Sequence, residues 1–368
     1  VKRTIAIKLI TTALQKEPLF ELQDLFTAAC NQVSAKAFLA KERNRIRLHH
    51  LSYRSLRQTL PKLGAQMCCN AIAKVSAALK ARKEPKELVF KKRSSVHFDK
   101  RTYSLKNSIL SLFTPKGRIQ IPLEISAYHK PFLEFGLPKE AELIYRANEW
   151  FFHLVLDLPD VLPIEGDKAI GVDLGENVLA ATSTGKLIGG GVLRAERDNF
   201  LATRGRLQSK GSQSARQKLR QISGRERRHV KHVNHCVSRQ IVREAKENGC
   251  SKIVMEDLKN IRARIKANKK VRSRLHRWSF DELRQMIEYK AAGEGITVQF
   301  VFPAYTSQTC SCCSCLGTRI KHRFSCSNCG SLQHSDLNAS RNILELGLSA
   351  DKPTGAVNRL YVAVNSGR

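Results

Sequence analysis

At 368 residues, with 64 Lys and Arg against 32 Asp and Glu, the chain carries a formal charge of +32. This is far more than solubility requires. It points to a polyanionic partner, nucleic acid first, and basic residues spread through the whole chain exclude a simple cationic tail. No apolar run reaches 18 residues, so neither a membrane span nor a membrane partner is expected, and a hydrophobic content of 42% suffices for two or three domains without disulfide staples.

Residues 1–12 alternate at Ile5, Ile7 and Leu9 as a strand and are too interrupted for a secretory core. Residues 20–84 place apolar side chains at helical spacing. From 87 to 158 short β-like runs follow, separated by Gly, Pro and Asn turns. One barrel is expected from residues 1–19 and 86–160, with the helical block inserted. A Pro-containing stretch at 161–168 marks a boundary. KAIGVDLGENVLAATSTGKLI (168–188) then reads as strand, tight turn and strand, and a long charged helical stretch is predicted over 194–248. SKIVMEDLKNI (251–261) is a second buried strand ending in acids, and residues 262–277 hold eight Lys or Arg and no acid. An amphipathic helix (279–295) and another strand (296–305) lead into a cysteine block. Residues 351–368 read as a flexible tail.

Six of the eleven cysteines fall within 310–329. Cys310/Cys313 and Cys326/Cys329 are each spaced C-x-x-C with twelve residues between the pairs, a pattern of four soft thiolates that suits one tetrahedral Zn²⁺. Cys312 and Cys315 form a second C-x-x-C in another register. Such clustering argues for a reducing compartment, the cytoplasm, rather than a disulfide framework.

Three acids share one context. Asp173 sits in the apolar run AIGVDLG, Glu256 ends the apolar run KIVMED, and Asp336 opens a predicted helix seven residues after the last cysteine of the block. A carboxylate at a buried strand is costly unless it is paired or binds metal. Acids gathered from two strands and a helix can hold two divalent cations, Mg²⁺ by preference, for phosphodiester hydrolysis. Asp257 is the neighbour of Glu256 but alternation sends it to the other face. Arg204, Arg206, Lys210, Arg216, Arg220, Arg227 and Arg228 form a candidate phosphate track, joined by Lys269, Lys270 and Arg272 of the acid-free run. His229, His232 and His235 recur every third residue, a spacing that converges poorly on one ion and favours phosphate contact or packing.

GVDLG (171–175), VMEDL (254–258), TSQTCSCC (306–313) and SDLNASRNI (335–343), in this order, resemble the TnpB family of transposon-encoded RNA-guided nucleases, relatives of the type V CRISPR effectors. IEYKAAGEGITV (287–298) and the start of the preceding helix at Trp278 are similar too. The resemblance implies a multidomain α+β and α/β fold. Its parts are a wedge-like β-barrel (1–19, 86–160), a helical recognition insertion (20–85) and an RNase H-like RuvC domain (161–304, 334–350) interrupted by a zinc ribbon (305–333). It implies Asp173, Glu256 and Asp336 as catalytic carboxylates, two Mg²⁺, one structural Zn²⁺, a guide RNA, and target double-stranded DNA marked by a short flanking motif. Ser314 stands where the family has Gly, and Thr306 to Thr309 set the register to Cys310 and Cys313. The competing readings are a miniature type V CRISPR effector, a non-cleaving guided DNA-binding regulator and, more distantly, a transposase proper.

Overall fold

A computed structural model of the chain describes residues 1–82, 87–258, 279–302 and 305–350. Lys269, Lys270, Arg272, Trp278 and the expected tail at 351–368 lie outside the described residues. Two units form, Val1–Asp160 and Val161 onward.

In the first unit β1 (Lys2–Leu9) is followed by α1 (Ala13–Leu39), α2 (Arg45–Thr59) and α3 (Ala65–Lys80). α1 begins earlier than the apolar spacing suggested. A capping box starts it: Thr12 Oγ1 accepts from the Gln15 amide and Gln15 Oε1 accepts from the Thr12 amide at 2.9 Å. Strands β2 (Val96–Phe98), β3 (Tyr103–Lys106), β4 (Ile109–Thr114) and β5 (Gly117–Pro122) come next, then α4 (Lys130–Phe135), β6 (Leu137–Arg146) and β7 (Glu149–Asp157). Trp150, Phe152, Leu154 and Leu156 alternate inward on β7 and join Ile5, Ile7 and Leu9 of β1, with Leu19, Leu22 and Phe26 of α1, in one core.

The expected single barrel is not what these strands make. Among the described residues they form two open antiparallel sheets, β1-β7-β6-β2 and β3-β4-β5. The break falls where β2, only three residues long, runs into a tight turn in which Thr102 Oγ1 accepts from the Asp99 amide (2.9 Å) and donates to its carboxylate (2.8 Å). Side-chain bonds to the local backbone hold that turn and end the ladder. Helices α1 and α3 pack against β2.

The second unit is built on β8 (Ala169–Asp173), β9 (Val178–Thr182), β10 (Leu187–Gly189), β11 (Lys252–Glu256) and β12 (Thr297–Val301), in the order β10-β9-β8-β11-β12. β8, β9 and β10 are antiparallel; β8, β11 and β12 are parallel. The parallel neighbours need crossovers, supplied by α7 (Arg225–Glu247) before β11 and α8 (Phe280–Ala292) before β12. The charged helical stretch predicted over 194–248 consists of three helices, α5 (Gly191–Lys210), α6 (Gln213–Ile222) and α7. Gly211 and Gly224, both at positive φ (62° and 72°), set the breaks. β13 (Thr318–Ile320), β14 (Arg323–Ser325) and β15 (Leu332–His334) make a small antiparallel sheet that leads directly into α9 (Ser335–Ala350).

Strand alternation divides the large sheet. Ile170, Val172, Ile253 and Met255 face the core containing Val237, Ile241, Leu283 and Ile287 of α7 and α8. The opposite face, with Gly171 and Val254 as register partners, receives α9. No side chain fits at Gly171, where a Cβ would lie 2.1 Å from the Ser340 carbonyl oxygen, and at Gly347 a Cβ would lie 2.6 Å from the Val254 methyls. Ser340, Leu344 and Gly347 therefore form the contact stripe of α9, and Asp336 is one turn further along it.

Candidate active site

Asp173 and Glu256 end two adjacent parallel strands, one position beyond the Val172–Met255 pair. Alternation puts them on the same face as Gly171 and Val254, beneath α9. The carboxyl ends of strands in an open α/β sheet are where such folds bind ligands. Asp336, 9% exposed, is the second residue of α9 and belongs to the same face.

The electrostatics tie the three together. Enclosure pushes the Asp173 carboxyl up to about 8, reinforced by the charges of Glu256 and Asp336 and opposed by Arg319. Burial also raises Glu256, opposed by the Thr306 hydroxyl, which donates to its Oε1. Arg319 Nη2 donates to Asp336 Oδ1 at 3.0 Å, and the Ser335 hydroxyl donates to the same oxygen at 3.2 Å. Asp173 is the member that feels both of the others. The three carboxylates are not among the clusters whose ligand atoms all lie within 4.8 Å of one another, so this geometry does not seat all three on one ion. Hard oxygen donors spread around a central acid suit hard divalent cations such as Mg²⁺.

This charge arrangement fixes a pH dependence. An Asp in an unfolded chain titrates near about 3.9. With the folded value raised to about 8, the native state holds the proton through the interval between, so the stability of the metal-free protein falls as pH rises through that interval. A divalent cation needs the ionised form and binds better towards pH 8. Mg²⁺ is therefore expected to raise the melting temperature more at pH 8 than at pH 6, and Asp173→Asn to flatten both trends. Calorimetry at the two pH values checks this, and an unchanged Mg²⁺ effect in the variant would refute it.

The four sulfurs of Cys310, Cys313, Cys326 and Cys329 lie within 4.8 Å of one another. Cys310 to Cys329 is 3.6 Å and Cys313 to Cys326 is 3.5 Å. A tetrahedron with Zn–S of about 2.3 Å has edges of about 3.8 Å, so the set fits a Zn²⁺ ion. Two matching knuckles hold it. The Ser314 amide donates to Cys310 O (2.9 Å) and the Gly330 amide to Cys326 O (3.0 Å); the Cys310 amide donates to Cys315 O (2.8 Å) and the Cys326 amide to Ser331 O (3.0 Å). Cys315 is thus the counterpart of Ser331, and Cys312 is exposed with its thiol towards Ser331. Ser314 has φ 61° where Gly330 has 69°. The departure from Gly at 314 leaves a left-handed backbone on a residue with a Cβ, a strain of about 1–2 kcal/mol.

Several residues with a part in this site carried no sequence signal strong enough to single them out. Asn338 and Asn342, both buried, lie one turn apart on α9. Asn338 accepts from the Ser311 amide (2.8 Å) and donates to Thr309 O (2.6 Å), and Asn342 donates to Thr306 O and Thr309 O. They fasten the cysteine segment to the helix bearing Asp336. Two polar residues at i, i+4 amid an apolar helix face were the available clue. Thr306 and Arg319 could not be placed without the fold.

Arg204, Arg206 and Lys210 on α5, Arg216 and Arg220 on α6, and Arg227 and Arg228 on α7 are all exposed. His229, His232 and His235 do not converge: His229 pairs with Glu196, His232 lies beside Cys236, and His235 meets Tyr289. No helix among the described residues is long and apolar enough to cross a membrane.

A family model described as Cas12f1-like, TNB domain matches residues 280–343, and one described as Probable transposase matches residues 154–262. A TnpB-like protein of Methanocaldococcus jannaschii is 30% identical over 258 residues, spanning 65% of this chain and 90% of its own. The CRISPR-associated endodeoxyribonuclease Cas12f1 of Sulfoacidibacillus thermotolerans is 34% identical over 228 residues, but the match covers 54% of this chain and only half of that protein. A cryo-electron microscopy structure of a Cas12f1–sgRNA–target DNA complex aligns with TM-score 0.63 at 16% identity, covering 91% of this chain and 83% of that one. At that identity the likeness is one of fold.

Proposed function

Because the chain belongs to the TnpB family, we propose that it is an RNA-guided DNA endonuclease whose RuvC-type site is Asp173, Glu256 and Asp336. The observation that carries the reading is the gathering of three acids on one sheet face, with Asp173 feeling both of the others. These acids would hold two Mg²⁺, which supply, when bound, a hydroxide nucleophile near neutral pH and charge neutralisation at the leaving 3′ oxygen. The chain's own work is positional. Thr306 orients Glu256, Arg319 offsets the charge of Asp336, and Zn²⁺ held by Cys310, Cys313, Cys326 and Cys329 keeps the ribbon folded against α9.

A guide RNA reads the target by base pairing, while the protein binds duplex shape, phosphates and a short flanking motif. The exposed cations of α5, α6 and α7 supply a sequence-independent phosphate surface. The likeness to Cas12f1 supports a second reading with the same chemistry, in which the guide derives from a CRISPR transcript. One experiment addresses both: sequence the RNA that co-purifies with the chain, then offer double-stranded DNA matching its variable end, with Mg²⁺. A defined RNA and cleavage of the matched DNA are expected, and repeat-derived sequence in that RNA selects the CRISPR reading. Absence of any defined RNA, or a matched target left intact, overturns the proposal.

A further inference from the structure

A second group of ligating side chains adjoins the acids. His322 lies in the β13–β14 turn, His334 closes β15 and Asp336 is in the first turn of α9, and one ligand atom from each lies within 4.8 Å of the other two. The backbone locks the trio, since the Ser335 amide donates to His322 O at 2.9 Å. The two imidazoles stack, with centroids 5.4 Å apart and planes at 21°. His334 Nδ1 accepts from the Asp336 amide at 3.3 Å. A metal bond at that nitrogen would replace only this long hydrogen bond. His322 is exposed, so an ion can arrive from solvent. Arg319 and Ser335 engage Oδ1 of Asp336, which leaves Oδ2 for a cation.

We propose that His322, His334 and Asp336 form a transition-metal site fused to the acid cluster, and that its occupation inhibits the nuclease. Two imidazoles and one carboxylate select a borderline cation such as Zn²⁺, Co²⁺ or Ni²⁺ over Mg²⁺, which prefers oxygen. Asp336 is shared. A cation held on the histidine side draws its carboxylate from the side facing Asp173, and the two sites compete. The inhibitory half rests on the function proposed above; the binding half does not.

The test titrates the chain, its ribbon already loaded with zinc, with Co²⁺. Expected is a bound equivalent with the weak visible absorption of nitrogen and oxygen ligation and without the intense thiolate band of a cysteine site. Asp173→Asn keeps it and His334→Ala loses it. His322→Ala, on an exposed hairpin and with the ribbon zinc retained as a folding check, weakens it by about tenfold or more, the scale of losing a contributor to a metal site. Absorption indifferent to both histidine substitutions, or lost in Asp173→Asn, overturns the site. In a second arm, low Zn²⁺ is added to Mg²⁺-supported cleavage. The parent is expected to slow while His322→Ala resists, relative to its own uninhibited rate; equal inhibition overturns the coupling. If the chain cuts no DNA at all, the nuclease reading falls, and the cobalt spectrum still decides the site.

Discussion

Asp173→Ala is expected to abolish guided DNA cleavage, by at least about 10³-fold, equivalent to about 4 kcal/mol of transition-state stabilisation. The reason is its central position: its carboxyl interacts with both Glu256 and Asp336, so its loss disturbs both of the ion positions proposed above. The fold should not suffer. Asp173 ends β8, and its carboxyl is enclosed and repelled by two like charges, with Arg319 offsetting part of that, so its removal relieves a penalty in the metal-free protein. Guide RNA binding should persist, because the cations proposed to hold phosphates lie on α5, α6 and α7. Cleavage kinetics with a matched target, beside an RNA retention assay, check both halves. Cutting at a parental rate would sink the site assignment, and loss of RNA together with cleavage would show that the substitution damaged the fold.

Cys326→Ser carries the second large effect: loss of the ribbon zinc and a fall in cleavage of about 10²-fold or more, the scale set by displacing a catalytic group by about an ångström. The ribbon has little else to hold it. Its three strands have three residues each, and its buried cluster is Phe324 with Cys310 and Cys326, joined by the partly buried Cys313 and Cys315. A structural zinc contributes apparent binding free energy of about 10–16 kcal/mol in small domains, enough to decide whether such a unit folds. Ribbon and helix are tied by Asn338, Asn342 and Arg319, so unfolding one releases the N-terminal turn of the other, where Asp336 sits. Cys312→Ser, at an exposed thiol outside the cluster, should keep both zinc and activity. Metal analysis and cleavage rates on the two variants make the comparison. Chelation followed by Mg²⁺ alone should not restore cutting, whereas Mg²⁺ with Zn²⁺ should; full recovery with Mg²⁺ alone would show that the ribbon does not support Asp336.

What was legible from residues had a local or periodic basis. The runs ending at Asp173 and Glu256 read as strands because apolar residues crowd them, and a charge at the end of each is conspicuous. Two C-x-x-C pairs declare themselves by spacing. The helix opening at Asp336 follows from the apolar residues of NASRNILEL. The helical character of 194–248 is legible in its charge pattern, whereas its division into three helices rests on Gly211 and Gly224, which adopt the left-handed backbone that ends a helix. Two open sheets stand where one barrel is expected, because strand count and turn residues do not say which edges pair and the Asp99–Thr102 turn separates the sheets.

The sequence by itself determined the chemistry on offer: a polycation, three acids in apolar settings and a four-thiolate set, in an order that resembles one family. Only the tertiary structure decided who meets whom. Gly171 lets α9 approach the sheet, and that approach brings Asp336 to the face that carries Asp173 and Glu256. The fold turns Thr306 and Arg319 from the cysteine region onto two of those acids, and it sets His322 beside His334. Periodicity records only which face of its own element a residue occupies. Contacts between segments far apart in the chain arise from packing, where one missing Cβ or one pair of buried amides fixes the distance.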